Sequence, residues 1–487
     1  MFRRLILAVA VFAAWCPCSP LWAQHGGLLT EPEAARHGLV RPWITQMGFD
    51  SARGRLCDLI LYEGTLYAQT DRATIHAIDA ETGKMLWSKQ VGRPNHPSLT
   101  PSASHDFLAV VNGSRLYVVN RLNGDLLYER EVEGAPGAGA ALSAKRAYVP
   151  MVDGMVVAYR LEPEVNAKVE SAKAKEEVAT DEAPQSEADR RQETRLRQEA
   201  TPPLFCRSYG RALVQPLVTR ETAEEEYVTW PTDRGYLNVG HINRVEEKYL
   251  ELKYRLATEA PIVTRPAYLP PDPTVVGDLG LILAVSRDGF AYAIRQKDGV
   301  LLWRFSAGEP IVEAPALIDD RLYVATQLAG MYCLDIAAGK DLWWAPGALR
   351  FVAASQTRVY VVDRLGRLLV LNAQNGARLD SIAAENIPIK FFNTDTDRIY
   401  LAESTGLIEC LHEVEQREPL VHGKDRKQAL EEKPAEEQAK AAPAAAAEKP
   451  AKKAGQKKEP AAAKEPRPKK GGKKAAEGEG ADAAPNP

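Results

Sequence analysis

Leu66 to Trp87 reads LYAQTDRATIHAIDAETGKMLW, and the same order of parts returns at Leu322 to Trp343 as LYVATQLAGMYCLDIAAGKDLW. Between them, Leu281 to Trp303 reads LILAVSRDGFAYAIRQKDGVLLW, one residue longer. Each stretch holds an alternating apolar run, a polar or Gly-containing turn, a second alternating run, and a Gly turn leading into Leu-Trp. Alternation with a period of two, broken by Gly, Asp and Asn, marks consecutive antiparallel strands, and helical spacing is absent. Weaker copies start near Leu108, Ala147, Tyr227, Val359 and Ile399.

Starts that recur about every 40 residues, with three visible strands and a fourth in the linking segment, predict an all-β chain folded as a single β-propeller. Eight four-stranded blades are expected, with seven the alternative because the third and fourth units are irregular. A closed ring also leaves few exposed strand edges. The segment Arg41-Pro42-Trp43-Ile44-Thr45-Gln46 resembles the last strand of a blade, and the final unit near Val414 lacks that strand. The N-terminal strand is therefore expected to complete the last blade.

Within the repeat, certain residues carry the turn and the packing between blades. Gly83, Gly124, Gly299, Gly339 and Gly376 occupy the tight turn before the last strand, where a left-handed backbone costs glycine little. Asp79 and Asp335, with Asn120 and Asn372 in the same slot, are placed to bond the turn backbone. Trp87, Trp303 and Trp343 are large enough to fill the wedge between blades, with Tyr128 and Tyr249 expected in their place elsewhere.

The pattern A-x-D-x-x-T-G-x-x-x-W, complete from Ala77 to Trp87, resembles the tryptophan-docking repeat of the pyrroloquinoline-quinone-like propellers. The resemblance covers about residues 40 to 415 and is specific for fold rather than function. That family includes quinoprotein alcohol dehydrogenases, a periplasmic scaffold of outer-membrane protein assembly, and binding proteins without cofactor. Some copies depart from the pattern: Arg295 stands in the Asp slot and Asp380 in the Trp slot. The dehydrogenases hold their quinone under a disulfide of neighbouring cysteines, beside calcium, and no two cysteines are adjacent here. The resemblance therefore points to the non-catalytic branch, with no catalytic, cofactor or metal residues expected. No CxxCH, HExxH or HxxxH motif occurs.

Around the repeat lie three other regions. Arg3 and Arg4, the apolar run Leu5 to Trp15, and Leu21-Trp22-Ala23 form a secretory signal with cleavage expected after Ala23. The apolar run is well short of the roughly 20 residues that span a bilayer, and no later segment is apolar enough to cross one. Residues 24 to 421 are then the propeller, interrupted between blades by Glu162 to Ala200, rich in Glu, Ala, Lys and Arg and expected to be solvated. Residues 422 to 487 form a Lys-, Ala- and Pro-rich tail expected to be disordered, its cations concentrated from Lys449 to Lys474. Cys57, Cys206, Cys333 and Cys410 remain after the signal and are expected to be free, with Cys57 and Cys206 in segments connecting the blades.

These readings combine into an exported, monomeric, non-enzymatic propeller of the periplasm or cell envelope. It is expected to bind protein partners on one face and an anionic polymer through its tail. The alternatives are a quinone-dependent oxidoreductase and a carbohydrate-binding propeller. Candidate face loops are Arg93-Pro94-Asn95-His96-Pro97 and Pro270-Pro271-Asp272-Pro273, which the sequence leaves unassigned to a face.

Overall fold

In the computed structural model, which describes residues 27–161 and 202–423 except 223, 246, 247, 273, 274 and 278, eight four-stranded antiparallel sheets form a β-propeller. Seven blades are continuous in sequence, at residues 56–90, 102–131, 141–207, 217–257, 267–306, 316–346 and 348–382. The eighth joins 389–413 to Leu39–Gln46, which pairs antiparallel with Leu407–Glu413. The ring thus closes through the N-terminal strand, as Arg41 to Gln46 implied. The alternative of seven blades is excluded.

Blades stack against neighbours on both sides, so their middle strands are buried on both faces. Phe107–Asn112 is buried at all six positions, whereas in the outermost Met85–Gln90 only Trp87 is buried. The core is correspondingly a set of wedges. Phe107 and Val118 of the second blade pack with Val149 and Tyr159 of the third, and Tyr323 and Trp343 of the sixth with Phe351 and Leu371 of the seventh.

Most wedges are locked by an aromatic ring lying on the glycine turn of the following blade. A Cβ added at Gly83, Gly124, Gly339 or Gly376 would collide with the ring of Trp43, Trp87, Trp303 or Trp343, respectively. Gly339 also has φ +66°, so glycine meets two demands there, a left-handed backbone and a flat surface for the indole. Each indole N–H donates to a backbone carbonyl of the same turn: Trp43 to Ala80, Trp87 to Arg121 and Trp343 to Ala373 at 3.0 Å, and Trp303 to Ile336 at 2.7 Å. The turn is held from within, since Asp79 Oδ1 accepts from the Thr82 N–H at 2.8 Å and Asp335 Oδ1 from the Ala338 N–H at 2.7 Å.

Several placements differ from the sequence reading. Tyr249 is 69% exposed and precedes the strand Glu251–Ala257; Tyr254, five residues on, lies over Gly299 and donates to Gln296 O at 2.6 Å. The insertion is not between blades. Leu204–Arg207 pairs with Met155–Ala158, so residues 162–201 interrupt the third blade before its last strand. That strand has four residues, too few to display alternation. Cys57 and Cys206 lie in strands rather than connections. Cys57, Cys206, Cys333 and Cys410 are free thiols. The signal segment and the Lys449–Lys474 cluster lie outside the described residues.

Candidate functional site

Antiparallel order sorts the connections by face. Within each blade the first-to-second and third-to-fourth connections share one end, and the second-to-third and inter-blade connections share the other. The two candidate loops consequently lie on opposite faces: Arg93–Pro97 links the first two blades, and 270–280 joins the first two strands of the fifth. The irregular parts of the chain gather on the second of these faces. Third-to-fourth turns at 80–84, 121–125, 296–300, 336–340 and 373–377 lie on this face. The short helix Glu31–Arg36 and the segment following Glu413 also lie at this end.

On that face the C-terminal segment is strapped across the ring by a buried polar network. Asn393 Oδ1 accepts the N–H groups of Asp395 and Thr396 at 3.0 and 3.1 Å, shaping the loop before Ile399–Ala402. Arg398, 1% exposed, donates to Gln416 O at 3.0 Å and Arg417 O at 2.7 Å, and pairs with Glu81 of the first blade at 3.1 Å. The Leu420 N–H donates to Asp397 Oδ1 at 3.0 Å, a His422 ring nitrogen lies 3.0 Å from Ala354 O of the seventh blade, and the Gly423 N–H donates to Asp319 of the sixth at 3.2 Å. Burial raises the Asp397 carboxyl above its ordinary range, and the Arg398 cation opposes that rise. His422 and Gly423 are thus part of the folded ring, which corrects the boundary expected after residue 421. The corresponding stretch of sequence has no strand pattern, and only its cross-chain bonds mark it as structured.

The strap ends at a cavity of about 430 Å³ in the central channel. Leu217, Tyr268 and Leu317, from the first strands of the fourth, fifth and sixth blades, line it with Phe392, Asp319, Asp395 and His422. First strands are therefore the innermost. Arg265 also lines the cavity; it is open to the lumen yet enclosed by the ring wall, and loss of water pulls its guanidinium down to about 10, with Asp395 opposing. At neutral pH it remains a cation. None of the residues singled out from the repeat, Asp79, Gly83, Trp87, Gly124, Gly299, Trp303, Asp335, Gly339, Trp343 or Gly376, lines this cavity; all sit at blade seams or their turns. Among the described residues, no three His, Cys, Asp or Glu side chains gather to hold a metal ion, and no helix is long and apolar enough to cross a membrane.

Blade number, docking rings and sequence pattern together define a pyrroloquinoline-quinone-like β-propeller. The family model described as outer membrane protein assembly factor BamB matches residues 43–214 and 269–402, more than half of the chain, and the protein belongs to that family. Among solved structures it is similar to BamB from Moraxella catarrhalis, at 11% identity over 77% of this chain and 97% of that one, with a TM-score of 0.54. It is also similar to Sqt1 of Saccharomyces cerevisiae (10%, 75% and 97%, 0.53) and to the computationally designed Ika8 protein (11%, 75% and 98%, 0.51). At such identities these likenesses show the fold. No curated protein matches the sequence.

Proposed function

We propose that this chain is a non-enzymatic, exported scaffold of the periplasm or cell envelope, which holds protein partners on the face bearing the channel mouth. The observation that carries this reading is the gathering of irregular segments on one face of a rigid ring. Such segments are free to diverge without disturbing the fold, and binding surfaces are commonly built this way. Family membership supports the scaffold reading. The signal segment supports export, and the cations from Lys449 to Lys474 support a tether to an anionic envelope polymer.

The test is photo-crosslinking of the full chain in intact cells. A crosslinking residue replaces Leu122 on the strap face, 73% exposed, or Leu365 on the opposite face, 64% exposed. Envelope proteins captured from position 122 and not from 365 are the expected result. Equal capture from both, or capture from neither, would overturn the assignment of the face. Stoichiometric uptake of pyrroloquinoline quinone with calcium, together with dye-linked alcohol oxidation, would make the protein an enzyme instead.

A further inference from the structure

His76 lies in Thr74–Asp79, the third strand of the first blade, opposite Ala68 on one side and Ser88 on the other. It is 1% exposed, and among the described residues neither ring nitrogen has a hydrogen-bond partner. A buried polar group left so is rare, because nothing replaces the water it gave up. Tyr117, Tyr292 and Tyr332 hold the equivalent position in the second, fifth and sixth blades. A phenol takes up no proton in acid, whereas an imidazole does. The ring of His76 is covered by Phe49, with centroids 5.9 Å apart. Phe49 belongs to connection 47–55, which leaves the closing strand and crosses to the first blade beside the 403–406 turn of the eighth. Backbone bonds hold the ends of this connection, from the Met47 N–H to Gly406 O and from the Leu56 N–H to Ser404 O, each at 2.9 Å. Between them Phe49 is the apolar anchor, seated against Gly406, and Asp50 to Arg53 are exposed.

We infer that His76 is an acid-sensitive latch on the seam that closes the ring: protonation drives its ring out from behind Phe49 and frees connection 47–55. The driving force is the cost of a cation in a pocket that holds nothing to pair it. Ala68, Ser88 and Phe49 face the imidazole, and burial is the only influence on its titration, holding it below an ordinary 6.5. The charges of the surrounding segments, Asp50, Arg53, Arg55, Asp71, Arg72 and Glu403, therefore offer it no offset. Across the seam, burial pushes Tyr400 and Cys410 of the eighth blade above their ordinary ranges, so both stay neutral. The opened state binds the proton more readily than the closed one, so stability that is complete above pH 6.5 is lost as pH falls below it. Glu409, which lies between Ile408 and Cys410, acts in the opposite sense and is common to every chain compared below. Inter-blade connections occupy the face opposite the strap, so acid reshapes that face and leaves the strap face as it is.

Hydrogen–deuterium exchange of the mature chain, residues 24–487, at pH 7 and pH 5 tests the latch. Once each rate is divided by its intrinsic chemical rate, amides of residues 47–56 should exchange about tenfold faster at pH 5, while those of Phe107–Asn112 and Asp341–Pro346 in other blades hold their rates. His76→Phe, which keeps an aromatic ring against Phe49 and takes no proton, should hold residues 47–56 at one rate at both pH values. Its melting temperature should also gain on that of the parent as pH falls. His76→Leu serves as the readout if His76→Phe does not fold, and the parent's own profile decides without either. Rates at 47–56 that do not rise in acid, a rise shared equally by the second and sixth blades, or a rise that persists without His76 would each overturn the inference. These measurements use the chain without any partner, so they stand apart from the scaffold reading.

Discussion

The seam between the sixth and seventh blades and the seam between the third and fourth solve one packing problem with different chemistry. At the former, Trp343 lies on Gly376, and Tyr323 of the same blade stands behind the indole with ring centroids 5.8 Å apart. At the latter, no aromatic residue stands where Trp343 does. Tyr148, in the slot of Tyr323, instead donates its hydroxyl to Glu226 of the next blade at 2.6 Å, and Glu226 is fully buried and paired with Arg244 at 3.0 Å. The seventh blade repeats the substitution. Asp380 replaces the tryptophan and meets His37 at 2.5 Å, while the Tyr360 hydroxyl donates to Glu413 of the eighth blade at 3.0 Å. Burial and the adjoining carboxylate push both tyrosine hydroxyls far above their ordinary range, so they remain donors. The second-strand tyrosine is thus common to both kinds of seam. Tyr323 packs beside its indole, Tyr148 and Tyr360 bond a carboxylate where the indole is missing, and Tyr400, beside Trp43, does both by donating to Ala80 O at 3.3 Å.

The largest expected effect tests closure, on which every seam depends. Deleting residues 40–48 should abolish cooperative thermal unfolding, because Leu407–Glu413 loses its partner and the ring gains open edges; an unchanged melting curve would refute closure by this strand. Next come the two seam types. Trp343→Ala should cost about 3–5 kcal/mol through the cavity it leaves. Glu226→Ala should cost less, about 1–3 kcal/mol, by leaving the buried Tyr148 hydroxyl without its acceptor, while Arg244 keeps Glu221 and the Thr222 carbonyl. Chemical denaturation measures both, and a loss below about 1 kcal/mol for Glu226→Ala would reduce the polar seam to an incidental contact.

A pH series sharpens the comparison at the closing blade. Glu409 is fully buried, accepts the Leu29 N–H at 3.0 Å and lies 3.6 Å from Arg41; burial pushes its carboxyl up to about 7 from an ordinary 4.5. Because the folded state holds the proton more tightly than the unfolded state, the stability contributed below about pH 4.5 is lost as pH rises through 7. Melting temperature should fall across that window, by an amount on the order of 3 kcal/mol in stability, and Glu409→Gln should flatten the dependence. The smallest effect is expected at the exposed pair. His37 holds the Asp380 carboxyl below its ordinary range, so Asp380→Ala should cost about 1 kcal/mol or less at neutral pH, screened by salt, with the difference vanishing in acid as Asp380 becomes protonated.

The repeat was readable because its parts are close in sequence: Asp79, Gly83 and Trp87 form one turn and one strand, and their spacing survives from blade to blade. The polar seams were not readable, since Glu226 sits in a run of glutamates and its partner Tyr148 is 78 residues away. Arg265 gave no local sign either; nothing in its sequence neighbourhood distinguishes a cation facing a channel from one facing solvent. Tyr254 rather than the expected Tyr249 takes the docking position because the third-to-fourth connection of the fourth blade, 244–250, is longer than the turns of the other blades such as 80–84.

Alternation, glycine turns and a recurring tryptophan are local demands of backbone geometry and blade packing, and with them the sequence by itself determined a propeller of eight or seven blades closed by its first strand. The assignment of loops to faces, the strap that ends at the channel mouth, the glutamates that replace indoles and the arginine that faces the lumen were decided only by the tertiary structure. Each depends on which distant residue arrives opposite another once the ring has closed, and no property of a residue's own neighbours along the chain encodes that meeting.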